Sequence, residues 1–152
     1  MRPARFAAFA APVLAAAPEV TAAEPWDGRL FGLTITLTSG ARLQVGITGA
    51  LPPGVKHKDP DVPITGEPSA PIPWPALYDA EKMTTPEAVA GYLAAAITHA
   101  GNPEILSAAP YAPGQNPGFA VLFHNGSQAF VLIARTARTG QALGSDRLQS
   151  TF

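Results

Sequence analysis

The sequence predicts an α+β fold: a small antiparallel sheet or sandwich from two hairpins, one packed helix and a Pro-rich extended arm. Three observations predict it. Phe31, Leu33, Ile35 and Leu37 alternate with Gly32, Thr34, Thr36 and Thr38, the period of a half-buried strand. Val89, Leu93, Ala96, Ile97 and Ala100 fall on one helical stripe. Two apolar runs, Phe119 to Phe123 and Ala129 to Ile133, flank Asn125-Gly126, a strong hairpin signal.

Residues 1–25 are an N-terminal apolar segment. Arg2 and Arg5 precede an apolar run from Phe6 to Ala17, and Val20 to Ala23 offer small residues for a signal-peptide cleavage site. The run is too short to span a bilayer. Pro12 breaks or kinks a helix placed there. A signal peptide and a packing arm both fit.

Residues 26–50 are the first β-hairpin. Trp26 to Gly28 mark a turn, Ser39-Gly40 give a tight turn, and Leu43, Val45 and Ile47 line one face of the second strand. Residues 51–76 are the Pro-rich arm. Pro52, Pro53, Pro60, Pro63, Pro68, Pro71, Pro73 and Pro75 exclude a helix or a central strand, so the chain is expected to be extended, largely polyproline II. Ile64, Ile72 and Trp74 are its candidate anchors. Proline removes part of the ordering entropy in advance, which suits an arm laid across a neighbouring subunit.

Residues 77–152 are a helix followed by the Asn-Gly hairpin, and residues 26–152 are expected to form one domain. Thr85 is placed to cap the helix, Pro86 to occupy its first position and Glu87 to complement its dipole, with Gly101 closing it. A two-residue type I′ turn pairs His124 with Ser127. Phe119, Val121 and Phe123 then share a face with Gln128, Phe130 and Leu132. Leu122 and Val131 fall on the other. Both faces are apolar, and one helix covers one face, so the first hairpin or another subunit must cover Leu122 and Val131.

Composition narrows the function. With no cysteine there is no disulfide, thiolate metal site or thiol nucleophile. A net charge of −1 gives no electrostatic footprint for nucleic acid. No phosphate-loop, dinucleotide, nucleophile-elbow or zinc-protease motif occurs. His57, Asp59 and Asp61 are the densest polar cluster. They match metal ligands by type, but the pattern reads as a solvated loop tip. His99 suits a helix C-terminus, and His124 precedes a turn. Asn125-Gly-Ser127 matches a glycosylation sequon and reads as the hairpin turn. Trp26, Trp74, Tyr78, Tyr92 and Tyr111 are scattered aromatics that would stack on a carbohydrate only if brought together. Arg135, Arg138 and Arg147 form a candidate basic edge. No catalytic, cofactor-binding or metal-binding residue is assigned. The candidate interface is Ile64, Ile72, Trp74, Leu122, Val131, Arg135 and Arg138.

Thr85 to Ile97 resembles the "T-P-x-x-(V/I)-A-x-x-(I/L)-A-x-A-I" helix of bacteriophage contractile-tail sheath and other tail proteins, and of related flagellar hook-type domains. Val131 to Gly144 is similar to the "V-x-(L/I)-x-A-R-x-x-G-x-x-G" segment that ends their strands. Thr98 stands where the family has Asn, and the chain is far shorter than a sheath protein. The resemblance spans residues 84–147. It implies a structural module of a phage-like or phage-derived particle: a tail, spike or decoration protein, without cofactors, whose partners are other structural subunits. The alternative is a secreted or periplasmic ligand-binding domain, with carbohydrate as the candidate ligand, if residues 1–23 are a cleaved signal peptide.

Overall fold

In the computed structural model, which describes residues 1–144 and 148–152, two helices and six strands form a small α+β fold. They run α1 (Pro3–Ala15), β1 (Val20–Pro25), β2 (Leu33–Leu37), β3 (Arg42–Ala50), α2 (Pro86–His99), β4 (Ile105–Pro110), β5 (Gly118–Phe123) and β6 (Gln128–Ala137). The six strands make one curled antiparallel sheet, in the order β1-β2-β3-β6-β5-β4.

That order is a duplication. Each half is a helix followed by a three-stranded meander, and the two meanders meet where β3 pairs with β6. The pairings match residue for residue. Val20 opposite Leu37 and Pro25 opposite Leu33 recur as Ile105 opposite Phe123 and Pro110 opposite Phe119. Leu33 opposite Val45 recurs as Phe119 opposite Val131. Loop hydrogen bonds repeat too: Thr38 donates to the Glu19 carbonyl as His124 does to that of Glu104, and Trp26 to Gly32 as Tyr111 to Gly118. Buried Phe6, Ala10 and Leu14 of α1 correspond to Val89, Leu93 and Ile97 of α2.

Both hairpins close the same way. Gly40 donates to the Leu37 carbonyl and Leu37 to that of Ala41; Gly126 donates to Phe123 and Phe123 to Ser127. Each loop therefore has three residues and ends in a glycine at positive φ, +85° for Gly40 and +82° for Gly126. This is a type I turn with a glycine bulge, not the expected type I′ turn. Asn125 stays at negative φ because its side chain accepts from the Ser127 amide at 2.9 Å instead. The register is shifted by one residue: Val121 faces Ala129 and Phe119 faces Val131. A one-residue shift turns β6 over. Val131 thus lies in the core with Phe119, Val121 and Phe123, and Leu122 lies on the opposite face.

The expectation of a single helix and four strands missed α1, β1 and β4. Helix α1 tolerates Pro12 because it sits in the last turn, where both Pro12 and Ala8, whose carbonyl loses its donor, are exposed. The edge strands β1 and β4 each carry a bulge at the matching place and end in proline, which blunts them against pairing with another sheet.

Both helices pack on one face of the sheet, over Leu33, Ile35, Val45, Phe119 and Phe123. Phe6 meets Phe123 edge to face at 5.9 Å. Helix α2 carries no narrow stripe: it is buried on nearly every side from Pro86 to Thr98. Thr85 caps it through the Ala88 amide at 3.1 Å. Ala100 is its C-cap, with Gly101 next at φ +60°. Alanines let α2 lie close to β4 and β5, to α1 and to the Pro-rich segment.

Candidate interaction surface

The Pro-rich segment is laid on its own domain. The Ile72 amide donates to Thr98 Oγ1 at 2.9 Å, and its carbonyl lies 2.8 Å from His99 Nε2. Trp74 stacks on His99 at 4.4 Å and against Tyr92 at 4.9 Å. Ile72 and Trp74 therefore anchor the segment onto α2 of the same chain. Ile64 and Val62 remain 53% and 59% exposed.

The His57–Asp61 cluster serves α1. Arg2, the N-cap residue, offers no side-chain cap, and Asp61 supplies one from the loop by accepting the Arg2 amide at 3.0 Å. Arg5 then bridges Asp61 at 2.9 Å and Glu104 at 2.6 Å. Arg2 donates its guanidinium to the carbonyls of His57 and Asp59. Burial pulls the Asp61 carboxyl upward, but the Arg2 amide and Arg5 outweigh it and hold the group below its ordinary value. Among the described residues, no group of three His, Cys, Asp or Glu is placed to hold a metal ion. None of their helices is long and apolar enough to cross a membrane.

The sheet face away from the helices is divided in two. In the first half it carries Glu24, Thr34 and Gln44 in one row, continued by Arg135, which reaches Gln44 at 3.5 Å and lies 5.1 Å over the Trp26 ring. The counterparts of Glu24, Thr34, Thr36 and Gln44 in the second half are Ala109, Ala120, Leu122 and Phe130. Phe130, Leu122 and Leu132 are half-buried there, with no charged residue among them. The same backbone thus presents a polar surface in one half and an apolar one in the other. The pattern of the sequence puts Leu122 on this face but not Phe130 and Leu132, because a type I′ turn gives the wrong register. Arg138 is exposed beyond β6, and Arg147 lies outside the described residues.

Two clefts open at the hairpin tips. One of about 560 Å³ is lined by Glu19, Thr38, Ser39, Tyr78, Lys82 and Arg138 and is floored by buried Phe152. The other, about 290 Å³, lies between Asn125, Ser127, Val55, Val62 and Ile64 and is largely apolar. The five aromatics form no single platform: Trp74 and Tyr92 meet on α2, Trp26 lies over Gly32, Tyr111 over Gly118, and Tyr78 bonds Thr38. No family model, curated protein or solved structure matches this chain.

Proposed function

We propose that this protein is a non-enzymatic assembly component of a phage-like or phage-derived particle, such as a tail, spike or decoration subunit. One observation carries assembly: the outward face of the second half replaces the threonines and glutamine of its counterpart with Ala120, Leu122 and Phe130. A sheet face that faces only water has no reason for that exchange. The occupant is a second copy. The strands place no charged side chain in the patch, Arg29 borders it across Gly46 beside Leu132, and the chain's net charge is only −1, so two copies meet with little repulsion. The particle itself is supported by the resemblance of Thr85–Ile97 and Val131–Gly144 to tail proteins.

Mass spectrometry of density-purified particles from the producing cells tests this. The expected result is this chain at fixed stoichiometry with other particle proteins. Recovery only in the particle-free fraction contradicts it. A second reading, a secreted or periplasmic carbohydrate-binding domain, is favoured by the cleft that gathers Tyr78, Glu19 and Arg138. Glycan-array binding abolished by Tyr78→Ala would support that reading instead.

A further inference from the structure

The larger cleft, at the first hairpin tip, holds charges of both signs. Glu19, Glu81, Lys82 and Arg138 line it, and among the described residues none of the four is in an ion pair. The duplication shows that this is particular to the first half. The counterpart of Glu19 is Glu104, which Arg5 of α1 holds at 2.6 Å. The counterpart of Arg5 on α2 is Ala88, which carries no charge, so Glu19 gains no such partner. A carboxylate that serves the fold in one half lines a cleft in the other.

The walls are held in place by the chain itself. The Tyr78 hydroxyl accepts the Ser39 amide at 3.3 Å and donates to Thr38 Oγ1 at 3.0 Å, and Thr38 in turn donates to Glu19 Oε2. Glu19 Oε1 has no donor among the described residues. Lys82 sits at φ +61°, a backbone conformation that is costly for any residue but glycine. Asp79 imposes it: its carboxylate accepts the Glu81 and Met83 amides at 3.0 and 2.8 Å, and its carbonyl accepts the Lys82 amide at 3.2 Å. The strained turn sets a lysine, where glycine would be at ease, on the lip of the cleft.

We infer that this cleft binds an acidic sugar, a ring of hydroxyls that bears a carboxylate. Lys82 and Arg138 supply the cations for the carboxylate, and Glu19 Oε1 is an acceptor for the sugar's hydroxyls. Ala41, Met83 and Phe152 give the ring face an apolar floor. A free amino acid would also offer both signs of charge, but it is too small to fill about 560 Å³, and a sugar is not. The inference deepens the carbohydrate reading and rests on it; association through the second half does not depend on it.

The probe is D-glucuronate, titrated at constant ionic strength into the full-length ¹⁵N-labelled chain, with D-glucose and acetate in parallel. The expected result is saturable shifts at Thr38, Ser39, Lys82 and Thr139 with glucuronate. Glucose and acetate should each bind about tenfold more weakly, since each lacks one set of charge-assisted or hydroxyl contacts. Lys82→Gly should weaken glucuronate about tenfold while raising the melting temperature, because glycine relieves the strained turn. Arg138→Gln, at an exposed position, should weaken it likewise at an unchanged melting temperature. Glucose binding as tightly as glucuronate overturns the acidic class and leaves the carbohydrate reading standing. Acetate binding as tightly overturns the sugar, and so does full glucuronate binding by both variants. No saturable shift with any probe overturns the inference and the carbohydrate reading at this cleft together.

Discussion

Gly46 of β3 pairs with Leu132 of β6, and the two residues are each other's counterparts in the duplicated halves. A pseudo-two-fold axis therefore passes between them. It exchanges the flanking pair Ile47–Val131 with Val45–Ile133. The pair is nevertheless unequal: Arg29 of the first half lies across Gly46, where an added Cβ would sit 2.7 Å from its guanidinium and would push that flexible side chain aside.

Gly118 is held more strictly than Gly46. A Cβ there would stand 2.2 Å from the Val131 carbonyl oxygen, which is backbone and cannot swing aside. Gly118→Ala is expected to destabilise by about 3 kcal/mol, as overpacked core positions do. Gly144→Ala, at a position with open space, is the control and should be nearly neutral. Urea denaturation measures both.

Helix α1 is part of the core. Phe6 is fully buried between the helix and Phe123. Phe6→Ala is expected to cost about 3–5 kcal/mol, the range for emptying an aromatic core site. A cost below about 1 kcal/mol would mean that α1 is only loosely attached.

Pro12 gives a change in the opposite direction. Its ring removes one helical hydrogen bond at an exposed position. Pro12→Ala is expected to raise stability by about 1 kcal/mol, read as a higher melting temperature, partly offset by a freer unfolded chain.

Asp61 links stability to pH. Its folded carboxyl titrates below the ordinary 3.8, so the contribution is present above that value and is lost as pH falls below it through the folded one. Asp61→Asn should lose about 1 kcal/mol at neutral pH, since the amide oxygen still caps α1 while the ion pair with Arg5 goes. The gap between wild type and variant should close as the pH falls below 3.8. A gap that stays constant down to pH 2 would place the effect in packing.

Much of this was legible in the sequence. The alternation of Leu33, Ile35 and Leu37 and the Thr85-Pro86-Glu87 cap each specify one element by local chemistry, and those elements form as read. The parts missed depend on distant partners. Val20–Pro25 and Ile105–Pro110 are Ala- and Pro-containing edge strands that become strands only beside β2 and β5. Asn125-Gly126 fits two turn types, and the choice falls to the Asn125–Ser127 hydrogen bond. The duplication held the missing register. Leu33-x-Ile-x-Leu-x-Ser-Gly40 and Phe119-x-Val-x-Phe-x-Asn-Gly126 share one pattern, and aligning them pairs Phe123 with Ser127. On the candidate surface, Ile72 and Trp74 anchor in cis, because α2 offers them Thr98, Tyr92 and His99.

The central claim is that the outward face of the second half joins copies of the chain. Sedimentation velocity tests it over roughly 10–500 µM, a range suited to an interface smaller than the usual 1,200 Å². The test variant gives the second half the residues of its own counterpart: Leu122→Thr with Phe130→Gln, after Thr36 and Gln44. The account predicts concentration-dependent association of the wild type, and a variant that stays monomeric with an unchanged circular dichroism spectrum. A wild type that remains monomeric throughout, or a folded variant that associates equally well, would contradict it.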